Sequence, residues 1–270
     1  MSRFTSRLLP CLAAVFLCGV TGLIAGTASA APPMQYGYRV LEQRPLPRDN
    51  FVQGLEFDGD TLLVGTGQYG QSRLRRYAFP AMRLLAEQRL PPRLFGEGIT
   101  RYGERIYQLI WRAGFGVAWD ATTLEPLARF AIPGEGWGLT HNEDSLIYSD
   151  GSATIRFLDP ATLRPTRELV VRRDGRPLAR LNELEWIDGR LWANVWTTDR
   201  IVIIDPASGT VEAEVDLAGL LPLPERQRRT DVLNGIARDG DGQIWVTGKY
   251  WPWLYRIELA PAGTRARDLH

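Results

Sequence analysis

Across 270 residues, 32 Lys and Arg face 31 Asp and Glu, for a formal charge of +1. A near-neutral chain of this kind is not built for nucleic acid or anionic membranes. With two histidines (His141 and the terminal His270) and two cysteines (Cys11 and Cys18), a His-rich zinc centre is excluded, and a Ser-His-Asp triad would have to rest on His141 alone.

Residues 1–30 read as a targeting segment. Arg3 and Arg7 form a basic start, Leu8 to Leu23 an apolar stretch, and Ala28-Ser29-Ala30 a small-residue cleavage site. The apolar stretch is short for a membrane span. A removed signal peptide (1–30), one domain over 31–260 and a flexible tail over 261–270 are therefore expected, with the mature protein in the periplasm or secreted. Both cysteines leave with the leader, so the mature chain has no disulfide and no thiol nucleophile. Loss of Arg3 and Arg7 takes the charge to −1.

From Gly37 onward the chain reads as short β-rich runs broken by Gly, Asp and Asn, with no amphipathic helix of useful length. One motif recurs: Gln53-Gly54-Leu55, Glu97-Gly98-Ile99, Trp137-Gly138-Leu139, Asn182-Glu183-Leu184 and Asn234-Gly235-Ile236. Each copy leads into a turn, as at Asp58-Gly59-Asp60 or Asp188-Gly189, then a second apolar strand such as Leu191 to Trp196. A third strand ends in an Asp-based hairpin at Asp120, Asp159 or Asp205, and a fourth closes the unit. Four strands per 40 to 50 residues is the period of a propeller blade. The fold class is all-β: a five-bladed β-propeller of four-stranded antiparallel blades around a central channel. The last copy lacks a fourth strand, and Gly37 to Leu41 can supply it, closing the ring from the N-terminal side. Leu221 to Asp231 reads as an exposed loop between blades.

In such a ring the first motif residues converge at one mouth: Gln53, Glu97, Trp137, Asn182 and Asn234. Counting forward 13 or 14 residues from the second motif positions Gly98, Glu183 and Gly235 places Trp111, Trp196 and Lys249 at equivalent points on the second strands. Lys249 is the only lysine, among 31 arginines. A position that stays Lys under that bias suits a compact ammonium whose pKa burial can move. Glycines flank Glu97, which suits a partly desolvated carboxyl able to hold a proton. Plainer readings stand beside these: Glu97 as a solvated turn acid, Asn182 as a backbone-satisfying amide, the tryptophans as core. Trp192 and Trp245 read as core.

The residues also resemble a known family. Phe51-Val52-Gln53-Gly54-Leu55, Phe95-Gly96-Glu97-Gly98-Ile99-Thr100, Gln108 to Trp111, Glu135-Gly136-Trp137-Gly138-Leu139-Thr140 and Leu181-Asn182-Glu183-Leu184-Glu185 carry the likeness. Ala193 to Trp196, Val232 to Ala237 and Val246-Thr247-Gly248-Lys249 complete it. Together they are similar to the plant- and bacterial-type glutaminyl-peptide cyclotransferases, in order, from about residue 38 to 259. One departure is Gly65-Thr66-Gly67, where members usually carry a Glu-Ser-Thr-Gly run.

The resemblance implies a five-bladed propeller that converts the N-terminal glutamine of peptides or proteins to pyroglutamate and releases ammonia. Glu97 would shuttle the proton from attacking amine to leaving nitrogen. Lys249 would stabilise the intermediate's charge or control Glu97, and Asn182 and Gln53 would orient the substrate. Phe51, Phe95, Trp111, Trp137 and Trp196 would wall the pocket. No cofactor is required, though the channel leaves room for a structural divalent ion. A monomer is expected, without nucleic-acid or membrane partners. Two rival readings are a periplasmic ligand-binding propeller and a metal-dependent, lactonase-like hydrolase, for which Glu97, Asn182 and Asn234 would be a thin ligand set.

Overall fold

The structure, a computed structural model, describes residue 1 and residues 32–267. The rest of the expected signal peptide, both cysteines and the last three residues lie outside the described residues. Among the described residues there is no α-helix, only a short 3-10 turn at Leu223–Glu225. Among these residues no helix is long and apolar enough to cross a membrane.

Three separate four-stranded antiparallel sheets follow the sequence repeat. The first is β2(Val52–Asp58), β3(Thr61–Thr66), β4(Arg73–Ala78) and β5(Arg83–Arg89). The second is β6(Gly96–Tyr102), β7(Arg105–Ile110), β8(Phe115–Asp120) and β9(Pro126–Ala131). The third is β10(Leu139–His141), β11(Leu146–Ser149), β12(Thr154–Leu158) and β13(Pro165–Val170). A small hairpin, β14(Arg172–Arg173) and β15(Arg176–Pro177), follows.

The remaining strands join one nine-stranded sheet. It holds β16(Leu181–Ile187), β17(Arg190–Val195), β18(Arg200–Ile204) and β19(Val211–Asp216), then β20(Leu233–Arg238), β21(Ile244–Gly248) and β22(Trp253–Pro261). Between the two runs lies β1(Met34–Pro45), antiparallel to β22 and, over Met34 to Tyr36, parallel to β19.

The turns form where the sequence places them. The Asp120 carboxylate accepts the backbone N–H of Thr122 and Thr123, and Asp159 does the same for Ala161 and Thr162. Asp205 repeats the arrangement with Ala207 and Ser208. These are Asx turns, in which a short acid side chain replaces a backbone acceptor.

First strands touch their neighbours around a circuit, β2 to β6, β10, β16, β20 and back to β2. Burial falls outward along each sheet: β3 is almost wholly buried, whereas β5, β9 and β13 are mostly exposed. The core lies between the faces of adjacent sheets. Leu63 and Leu74 of the first sheet pack with Ile99, Ile106 and Trp119 of the second, and Trp245 packs with Leu55 and Tyr77. Trp192 and Trp245 are core, as expected.

Two segments differ from the sequence reading. The tail does not fray at 261: β23(Arg265–Arg267) pairs with Tyr38 to Val40 of β1. Gly37 permits this approach, since a Cβ there would lie 2.2 Å from the Thr264 carbonyl oxygen, and Arg267 also donates to the Leu220 carbonyl. The loop from Leu221 is anchored rather than wholly exposed, because Leu220 and Leu221 are buried in the core.

Candidate active site

The recurring motif sits on a backbone irregularity. The β2–β3 pairing shifts register between Val52 and Gly54, β6–β7 between Gly96 and Ile99, β16–β17 between Leu181 and Leu184, and β20–β21 between Leu233 and Ile236. A bulge bends a strand and re-aims a side chain. Here it falls on Gln53, Glu97, Asn182 and Asn234. Between the third and fourth first strands there is no room for even one carbon: a Cβ on Gly138 would sit 1.9 Å from the Asn182 carbonyl oxygen.

One pocket at this mouth gathers nine of the residues singled out from the sequence, Phe51, Gln53, Phe95, Glu97, Trp111, Trp137, Asn182, Trp196 and Lys249, whereas Asn234, also expected there, does not line it. Its volume is about 250 Å³. Thr197, Asp231 and Val232 complete the lining. Glu97, Lys249 and Gln53 are each 4 % exposed and Asn182 2 %, so the solvated-turn reading of Glu97 fails.

Lys249 follows β21 and is held by its own backbone. Its N–H donates to the Val232 carbonyl at 2.9 Å and its carbonyl accepts from Asp231 at 3.0 Å. Its Nζ lies 4.8 Å from the centroid of the Phe51 ring, a cation–π contact. Phe51 meets Phe95 edge-on at 6.0 Å and Tyr250 at 5.1 Å, and Phe95 lies 5.3 Å from Trp111. Trp137 and Trp196 are edge-to-face at 5.4 Å.

Burial pushes the Glu97 carboxyl well above the usual glutamate range. The Lys249 ammonium opposes that rise, Glu135 adds to it, and a hydrogen bond with Gln53 opposes it. Burial also lowers the Lys249 pKa, while the charges of Glu97 and Asp231 hold it up. Gln53 in turn accepts from the Asn234 amide at 3.3 Å, and that amide donates to the Val52 carbonyl at 3.0 Å. The Asn182 side-chain oxygen is buried with no partner, an acceptor free for a ligand N–H.

Sequence reasoning missed two carboxyls. Asp231 precedes the motif of the last repeat, where counting from the motif could not reach it. Glu183 was paired with the glycines of the other copies, yet its carboxylate accepts from Leu55 at 3.2 Å and from Ile236 at 2.8 Å. Deeper in the channel Glu56 accepts from Arg101 at 2.9 Å and Glu185 from Arg238 at 3.1 Å. Among the described residues no three His, Cys, Asp or Glu side chains converge to hold a metal. Asn234 donates its amide N–H to Gln53 and Val52, and its side-chain oxygen, like that of Asn182, is buried without a partner.

Comparison with known proteins identifies the family. A sequence profile of the family described as glutamine cyclotransferase matches residues 13–259. A glutaminyl-peptide cyclotransferase of Arabidopsis thaliana is 38 % identical over 232 residues, which is 84 % of this chain and 72 % of the relative. The crystal structure of Myxococcus xanthus glutaminyl cyclase superposes with a TM-score of 0.77 at 32 % identity, over 84 % of this chain and 98 % of that one. The chain belongs to the glutamine cyclotransferase family.

Proposed function

We propose that this protein is a glutaminyl-peptide cyclotransferase: it closes the N-terminal glutamine of peptides or proteins to pyroglutamate and releases ammonia. The observation that carries the reading is the pocket itself, where one buried carboxyl, one buried ammonium and the unpartnered Asn182 oxygen share an aromatic cavity. The scaffold is a five-bladed propeller whose ring β1 closes. The circuit of first strands and the pairing of β1 with β22 support that architecture. Residues 1–30 are proposed as an export leader, which places the mature protein in the periplasm or outside the cell.

The reaction is an intramolecular aminolysis. The neutral α-amine attacks the side-chain carboxamide carbon; a C–N bond forms and the carbonyl becomes an oxyanion. One proton leaves the attacking nitrogen for the Glu97 carboxylate. Glu97 returns it to the amide nitrogen, whose bond to carbon breaks, and ammonia departs with no net proton consumed. A carboxyl with a raised pKa suits both halves of this transfer. Lys249 sets positive charge where the oxyanion develops; removing one such donor typically costs roughly 100- to 1,000-fold in rate.

Asn182 accepts a substrate N–H and Gln53 steadies Glu97, which together fold a flexible side chain into attacking shape. Phe51, Phe95, Trp111, Trp137 and Trp196 exclude water, which would otherwise hydrolyse the amide. Release of ammonia from a glutamine-initiated dipeptide tests the reading. Equal rates with and without chelator are expected. A dipeptide that binds without ammonia release would return the pocket to a binding role, and loss of activity on chelation would favour the hydrolase reading.

A further inference from the structure

The two indole N–H groups beside Glu97 are both spoken for, and by the same atom. Glu135 lies on the segment between β9 and β10. Its Oε2 accepts the Trp111 Nε1–H at 2.9 Å and the Trp137 Nε1–H at 3.0 Å, while its Oε1 accepts Arg112 Nε at 2.8 Å. The Arg112 guanidinium also lies over the Trp111 ring, 4.3 Å from its centroid. Trp111 follows β7 of the second sheet and Trp137 precedes β10 of the third, so a single carboxylate spans the junction between sheets. Trp137 supports Trp196 of the next sheet edge-on. Three pocket walls thus depend on one side chain that does not itself line the pocket.

An indole N–H only donates, and one next to a reacting carbonyl competes for its oxygen. With both N–H groups bound by Glu135, Trp111 and Trp137 offer the substrate ring faces and no donor. The developing oxyanion is then left to Lys249. An ion pair with Arg112 alone would matter little at such a rim; convergence of both indoles on one oxygen is what sets this carboxylate apart. Its charge is also placed to act on Glu97, in the sense opposite to Lys249. Burial opposes ionisation of Glu135, but hydrogen bonds from Trp137, Arg112 and Trp111 outweigh it and keep its pKa below the ordinary glutamate value.

We propose that Glu135 is a positioning residue of this site: it fixes the indole walls Trp111 and Trp137, and it sets a negative charge behind those walls of the pocket that holds Glu97. The kinetic part rests on the cyclotransferase reading; the structural part does not. The test uses Glu135→Gln and Glu135→Ala in the full chain. Indole ¹⁵N–¹H resonances, assigned with Trp111→Phe and Trp137→Phe, report the clamp without substrate. In Glu135→Ala both resonances should move and kcat/KM should fall roughly 100-fold, the scale of a 1 Å misplacement.

Glu135→Gln keeps an acceptor oxygen and removes the charge. It should retain most activity while the acidic limb of its kcat profile moves to lower pH. Indole resonances that stay fixed in Glu135→Ala overturn the clamp. A Glu135→Gln pH profile superposed on wild type overturns the electrostatic role, and equal losses in both variants with an unshifted profile reduce Glu135 to a packing residue. If Glu135→Ala does not fold, the Glu135→Gln resonances decide the clamp. Wild-type protein that releases no ammonia defeats the cyclotransferase reading and leaves the resonance arm standing.

Discussion

Glu97 and Lys249 are each the leading charge acting on the other, and each is 4 % exposed. Burial favours the neutral form of both, while each partner's charge favours the ionised form of the other. The two therefore titrate as a pair, and the acidic limb of kcat belongs to that pair rather than to one residue. Glu97→Gln keeps the shape and removes the proton acceptor. Turnover should fall by at least about 100-fold, the lower range for a lost acid–base group, with the melting temperature unchanged or higher. Ammonia release and a thermal melt check both points, and a near-normal rate removes Glu97 as the shuttle.

Lys249→Arg keeps the charge and changes its shape. The ammonium stands 4.8 Å from the Phe51 ring in a pocket of about 250 Å³, and a planar guanidinium does not fit the same place. A loss of roughly 100-fold in kcat is expected, on the scale of one misplaced charge donor. Unimpaired kinetics of the Arg variant would mean that any cation there suffices, and that the lone lysine reflects chance.

Much of this site was legible because the chain repeats itself. Equivalent positions in a closed ring must converge, so Gln53, Glu97, Asn182 and Lys249 could be placed together by counting alone. Counting failed where the fold breaks the repeat. Glu183 occupies a glycine position, and only three dimensions show its carboxylate reaching two other strands. Asp231 and Glu135 lie on connections between repeats, outside the periodic frame. The tail strand β23 was hidden because its partner, β1, is more than 200 residues away and its own sequence, Arg265-Ala266-Arg267, is three residues long with a single alanine as its apolar member.

The channel carboxyls make stability depend on pH in a definite direction. Burial raises the Glu56 pKa from 4.5 to about 8, and Glu183 and Glu185 are raised as well. The folded state then binds these protons more tightly than the unfolded chain does. The Glu56 contribution is complete below about pH 4.5 and is lost as pH rises through 8, and those of Glu183 and Glu185 are likewise lost as pH rises through their raised values. Asp49 works the other way: the Arg75 hydrogen bond holds its pKa below 3.8, so its contribution is lost as pH falls through the folded value. The melting temperature should decline from about pH 5 to pH 8, and Glu56→Gln should flatten that slope. A melting temperature that climbs steadily over this range would contradict the assignment.

Glu183 supplies the last prediction. Its two oxygens hold the N–H groups of Leu55 and Ile236, two residues beyond Gln53 and Asn234 respectively. It therefore fastens β2 and β20 to β16 directly beneath the pocket. Glu183→Ala leaves both buried N–H groups without an acceptor, at about 1–3 kcal/mol each. Glu183→Gln turns an amide donor towards one of them and should cost less than the alanine change. Urea unfolding midpoints should rank wild type above Gln above Ala. Since Gln53 touches Glu97 and Asn234 touches Gln53, kcat should fall in the same order while KM changes less. An alanine variant as stable as wild type would show that the strands hold their places through their apolar contacts, with the carboxylate only filling the space.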